Sequence, residues 1–158
     1  MKPNLGKSIR TQTFPTCEAW HAFAEDAGLC STFFAPQGQV VPCQSVRACL
    51  DRSDEGLRAV AVLFEQSREV GLWVTWDVRR RGVGTSLFLN AVKAQACAPL
   101  YAVIAKSNPH GVAMARILIH AGFSHYMLAC DRVIWRRRVS GEQKLEDNPG
   151  DCCGTERP

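Results

Sequence analysis

The sequence predicts an α/β domain of the α+β kind, in which a mostly antiparallel sheet holds one central parallel strand pair and is flanked by helices. Three observations predict it. A β-branched and aromatic run, Val70 to Val78, leads through an arginine- and glycine-rich loop into a segment whose apolar residues recur at three- and four-residue steps. A second apolar strand, Leu100 to Ala105, follows that helix, and a strand, helix, strand succession sets its two strands parallel. Hairpin-like segments stand on both sides of this unit, which makes the rest of the sheet antiparallel. With 158 residues, 46% of them hydrophobic, the chain can bury one proper core and is too short for two ordinary domains.

Taken in order, Thr16 can cap a helix over residues 17–27, which Gly28 ends by turning left-handed. Residues 29–45 read as loop, so the first 45 residues offer one clear element. Val46 to Leu50 and Leu57 to Phe64 read as strands about a turn over 51–56, and Gln66 to Glu69 turn the chain into the Val70 to Val78 strand. There Leu72, Val74 and Trp76 share one face and Trp73 and Thr75 the other, the pattern of a strand buried on both sides. Leu87, Phe88, Ala91, Val92 and Gln95 mark a helix that Cys97-Ala98-Pro99 stops. After the Leu100 to Ala105 strand comes a helix over 112–121 closed by Gly122, then a hairpin of Phe123 to Cys130 and Val133 to Arg138 about Asp131-Arg132. The folded domain is therefore 1–138. Residues 139–158, charged and almost without apolar side chains, read as a disordered acidic tail.

Charge is unevenly spread. The tail nets −3, which leaves +7 on residues 1–138 out of a total of +4. The run Arg136-Arg137-Arg138 fits an exposed edge strand, and it equally fits a face for an acidic substrate or nucleic acid. Of the eight cysteines none stands in a Cys-x-x-Cys pair or a zinc-ligand spacing, so no metal is expected, and Cys152-Cys153 reads as an oxidisable pair in the tail. The first ten residues lack the apolar stretch of a signal peptide and no long apolar run follows, so the expectation is a soluble cytoplasmic protein with reduced thiols and no membrane partner. Gly6-Lys7-Ser8 is no phosphate loop, because the required first glycine would fall at Met1.

The stretch Val78-Arg79-Arg80-Arg81-Gly82-Val83-Gly84-Thr85 reads as an anion cradle. Glycines at 82 and 84 let the backbone turn tightly and approach a ligand, while loop amides and a helix N-terminus face the anion. Strand, loop and helix in this order resemble the acetyl-CoA-binding motif of the GNAT N-acetyltransferase superfamily, whose Gln/Arg-x-x-Gly-x-Gly/Ala signature is met by Arg79, Gly82 and Gly84. Ala121-Gly122-Phe123 is a second point of likeness. The resemblance spans about residues 46–138.

It implies an acyl-CoA-dependent N-acyltransferase that moves acetyl from acetyl-CoA, its co-substrate, to an amine of a small molecule or peptide by direct attack in a ternary complex. It also implies that amides over Thr75 to Val78, hence Trp76 and Val78, polarise the thioester carbonyl, and that Arg79, Arg80, Arg81, Gly82, Val83, Gly84 and Thr85 hold the pyrophosphate. Asn108 matches a residue used near the pantetheine arm. Glu69 falls near the family's general base, with Glu65 as fallback and Asp77 more apt to pair with the arginines. The family's acid is a Tyr four residues before the glycine of the Gly-Phe pair, where this chain has Leu118; Tyr126, His120 and His110 are the nearby substitutes. Two other readings follow from these residues: a catalytically idle CoA-binding fold, and an enzyme that modifies nucleic acid. Acceptor identity and oligomeric state are not encoded in any of these signals.

Overall fold

The computed structural model describes residues 9–29, 33, 35–36, 44–95 and 97–139. Their chain order is β1 (Ile9–Phe14), α1 (Cys17–Asp26), β2 (Val46–Ser53), β3 (Gly56–Phe64), β4 (Glu69–Val74), α2 (Val83–Lys93), β5 (Leu100–Ala105), α3 (Gly111–His120), β6 (Ser124–Leu128) and β7 (Arg132–Arg137). The seven strands form one sheet in the order β1-β2-β3-β4-β5-β7-β6, antiparallel throughout except for β4 beside β5. This is the mixed sheet with a central parallel pair that the sequence predicts. Residues 140–158 of the expected acidic tail, Cys152-Cys153 among them, lie outside the described residues.

Local signals explain most boundaries. Thr16 caps α1 by accepting from the Ala19 amide at 3.2 Å, and Gly28 follows with φ +71. Gly122 closes α3 with φ +88 in the same way. β1 has no counterpart in the sequence reading, since only Phe14 along it is buried and Ile-Arg-Thr-Gln-Thr offers no apolar alternation. It is a strand because β2 supplies a partner from Ile9↔Asp51 to Phe14↔Val46.

Two expectations are corrected. The turn over 51–56 is tighter, with β2 and β3 meeting at Asp54-Glu55. Asp51 sits inside β2, buried, where its Oδ1 accepts from Arg58 Nη2 at 2.9 Å. The Val70 to Val78 strand ends at Val74, and Trp76–Val78 forms one 3-10 turn that leaves Trp76 82% exposed. The ladder with β3 carries β4 as far as Ala59↔Val74 and closes with Thr75 N on Arg58 O, whereas β4 pairs with β5 only at Glu69↔Tyr101.

The sheet separates two layers. On one face α1 packs Trp20 and Ala24 against Phe14, Val46, Val60, Val62 and Phe64, with Phe14 edge-on to Trp20 at 5.4 Å. On the other, α2 and α3 bring Phe88, Val92 and Leu118 against Leu63, Val70, Leu100, Ala102 and Trp135. Burial of this kind contributes about 25 cal/mol per Å² of apolar surface, and it fixes β4 and β5 between the layers.

Candidate active site

The splay of β4 from β5 creates the site. Tyr101 N donates to Arg68 O at 2.9 Å, whereas Thr75 N donates across to Arg58 O of β3 at 2.8 Å. Backbone groups alternate along a strand, so the even-numbered residues Val70, Leu72 and Val74 turn their N–H and C=O toward β5. No pairing with β5 is formed past Glu69, so the edge at Leu72 and Val74 faces an opening wedge. These two residues were not singled out by sequence reasoning, which placed the carbonyl-polarising amides at Thr75 to Val78. Two amides of that stretch are engaged elsewhere: Thr75 N bonds to Arg58 O, and Val78 N to Thr75 O at 3.3 Å.

The arginine-glycine loop lies at the wide end of the wedge. Gly82 has φ +78, a left-handed backbone with nothing within 4 Å of a Cβ, so its need for glycine is conformational. From it α2 begins, and the first helical bond is Ser86 N to Gly82 O at 3.0 Å, which leaves the amides of Val83, Gly84 and Thr85 without intrahelical partners. Gly84 has a packing role beside the ligand approach expected of it. It is buried, and a Cβ there would stand 2.7 Å from Val74 Cγ2 and 3.4 Å from Leu72 Cδ2, so the glycine lets α2 press against β4. Arg80 is a further surprise. It holds φ +63 without being glycine.

Arg79 spans the mouth. Its Nε donates to Val74 O at 3.1 Å, and its Nη1 bonds to His110 Nε2 at 3.0 Å at the start of α3. Asp77, in the 3-10 turn, has its carboxyl held below the usual range first by a hydrogen bond from the Thr75 side chain and also by the charge of Arg81. Asn108 caps the approach to α3, its Oδ1 accepting from His110 N at 2.9 Å, and it lines a cavity of about 260 Å³ with Ile104, Val112 and Trp135 beneath α3.

Glu69 sits at the apex of the wedge, 6% exposed, opposite Phe64 on one side and Tyr101 on the other. It shares the α1 face with Gly71, against which Phe33 packs. Glu65 is committed to structure, accepting from Ser45 Oγ at 2.6 Å and pairing with Arg47 at 2.7 Å. Tyr126 is 52% exposed on the edge strand β6, with its ring 5.8 Å from that of Tyr101 and under the Arg136 guanidinium at 5.5 Å. Three strand spacings separate it from β4, about 14 Å. Leu118 is fully buried in the α2/α3 core. His120 is exposed at the end of α3. The arginine run is partly structural, since Arg137 Nη1 donates to Val92 O at 2.9 Å.

No protein-family model matches the chain, and no curated protein matches it in sequence. Solved structures do match. The fold is that of the GNAT N-acetyltransferases. The ribosomal-protein-S18-alanine N-acetyltransferase from Escherichia coli is similar at 15% identity, with a TM-score of 0.52 over 87% of this chain and 97% of that one. An acetyltransferase assigned to the GNAT family from Desulfovibrio desulfuricans is similar at 14% identity, TM-score 0.53, over 84% and 100%. YhhK from Escherichia coli, assigned as an N-acetyl transferase and bound to coenzyme A, is similar at 17% identity, TM-score 0.50, over 82% and 98%. Among the described residues no helix is long and apolar enough to cross a membrane, and no three His, Cys, Asp or Glu gather as a metal site.

Proposed function

We propose that the chain is an acyl-CoA-dependent N-acyltransferase that moves acetyl from acetyl-CoA to an amine of a small molecule or peptide by direct attack in a ternary complex. The observation that carries the reading is the pairing of an unladdered strand edge at Leu72 and Val74 with the amide-rich, arginine-flanked start of α2. The co-substrate offers a polyanionic end and an amide-bearing arm. The amides of Val83, Gly84 and Thr85, with Arg79 to Arg81, suit its pyrophosphate. The Leu72 and Val74 edge suits the arm and the thioester carbonyl, which an N–H fixed in the sheet polarises without reorganising.

Glu69 is the proposed base. It stands about 10 Å along β4 from Leu72, so it takes the acceptor's proton through a chain of waters. Leu118 has no proton to give and Tyr126 stands about 14 Å from β4, so the departing thiolate takes its proton from solvent. Calorimetric titration of acetyl-CoA into the wild type and into Arg80→Glu/Arg81→Glu tests the binding half. Both side chains are exposed, so the fold survives, and affinity falls at least about tenfold. No binding to the wild type, or equal affinity, removes the reading. Acceptor-dependent CoA release tests the catalytic half. The buried Leu118 favours a second reading, a CoA-binding fold without turnover, and titration without release under any amine would select it.

A further inference from the structure

A second cavity, of about 540 Å³, opens at the C-terminal end of β4 on the face that carries α1. Phe23 and Asp26 of α1, Arg52 and Glu55 of the β2–β3 hairpin, and Trp73 and Thr75 at the end of β4 line it. We propose that this cavity receives the acceptor and selects an amine that carries a second cationic group, a small di- or polyamine; the inference rests on the acyltransferase reading above.

Position is the first argument. Trp73 and Thr75 alternate along β4 with Leu72 and Val74, so the cavity lies one residue, about 3.3 Å of strand, from the edge amides proposed for the thioester. It opens on the α1 face, whereas the α2 start and its arginines lie on the opposite layer. Two substrates can therefore meet at β4 from opposite sides.

Charge and surface chemistry are the second. The body of the chain is basic, yet this cavity holds two carboxylates, and neither Asp26 nor Glu55 forms an ion pair among the described residues. Among the described residues that line the cavity, the guanidinium of Arg52 is already placed, 5.5 Å over the Phe23 ring. That contact shows a cation resting on this aromatic wall, and Trp73 supplies a second ring of the same kind. An acidic acceptor would meet two unpaired carboxylates. An ammonium group would meet both, beside aromatic faces that attract it. Charge thus sorts the substrates: the polyanion goes to Arg79 to Arg81, the polycation to Asp26 and Glu55. With its distal ammonium in the cavity, the diamine's other nitrogen reaches the wedge in neutral form. There it bonds to the acetyl carbonyl carbon, the carbon–sulfur bond breaks, and the electron pair leaves on sulfur. The proton shed by nitrogen passes through water to the thiolate, giving the acetylamide and free CoA with no redox change.

The test uses spermidine, 1,4-diaminobutane, butylamine and glutamate as acceptors in a CoA-release assay, with calorimetric titration of spermidine and of acetyl-CoA alongside. The wild type turns over the two polyamines with kcat/KM at least about tenfold above butylamine, and glutamate is inert. Asp26→Asn/Glu55→Gln, at two exposed positions, erases that preference and weakens spermidine binding about tenfold while acetyl-CoA affinity holds. Equal kcat/KM for butylamine and the diamines, absence of spermidine binding to the wild type, or an unchanged double variant overturns the inference and leaves the acyltransferase reading standing. Loss of acetyl-CoA binding in the wild type strikes that reading instead, and the spermidine titration still decides the cavity.

Discussion

Replacing Gly84 with Ala separates two reasons for a glycine at the start of α2. If the position served only the approach of a ligand, a methyl group would leave the ligand-free fold intact. The structure says otherwise. The new Cβ would stand 2.7 Å from Val74 Cγ2, closer than carbon atoms pack, and 3.4 Å from Leu72 Cδ2. Both neighbours are strand side chains beneath the helix, so α2 must lift or Val74 must leave its rotamer. Overpacking of this kind costs about 1–3 kcal/mol, or roughly 3–10 °C in Tm for a domain of this size. The assay is urea and thermal unfolding of the wild type, Gly84→Ala, Val74→Ala and the double variant. Removing Cγ2 with Val74→Ala takes away the nearest clash, so the cycle shows favourable coupling of about 1–2 kcal/mol. Gly82→Ala is the control. Its side chain meets open space, so its cost, about 1–2 kcal/mol, comes from φ +78 alone and does not change in the Val74→Ala background. A wild-type Tm for Gly84→Ala, or the same loss in both backgrounds, refutes the packing argument.

Other perturbations follow from the same contacts. Asp51→Asn weakens the hydrogen-bonded pair of the buried Asp51 with Arg58 and lowers stability by about 1–3 kcal/mol in urea titrations, more than loss of the half-exposed Arg47–Glu65 pair. Leu118→Tyr, which restores the tyrosine of the resembling family, forces a larger ring and a hydroxyl into a fully buried site, so Tm falls by several degrees and CoA release does not rise. Asp77→Asn removes a carboxyl whose folded pKa lies below its unfolded value. The wild type's advantage over the variant is therefore present above the unfolded pKa and fades as pH falls through the lower folded one, a small effect at this exposed site, read by unfolding across pH 2–7. Glu69→Gln lowers turnover most at low pH, where the acceptor is hardest to deprotonate, and an unchanged pH–rate profile removes Glu69 from the mechanism.

What the sequence could disclose was whatever is local. The order of strand, arginine-glycine loop and helix around Gly82 is legible because each signal lies within a few residues of its effect: β-branched residues before, a left-handed glycine, helical periodicity after. β1 was not, because its polar residues are held by pairing with β2, more than thirty residues further on. The wedge was not legible either. Trp76 and Val78 continue the alternation of Val70 to Val74 with no local stop, and β4 ends where its ladder with β3 ends, at Ala59↔Val74. Sequence reasoning therefore carried the strand on to Val78, whereas the edge without a β5 ladder lies at Leu72 and Val74. The same limit applies to Gly84, whose periodic neighbour is visible in the sequence but whose clash partner is a side chain ten residues back. Leu118 shows the opposite case. Its departure from the resembling family's tyrosine is plain in the sequence, and only packing reveals that α3 uses the position to close the core that holds Phe88 and Leu100.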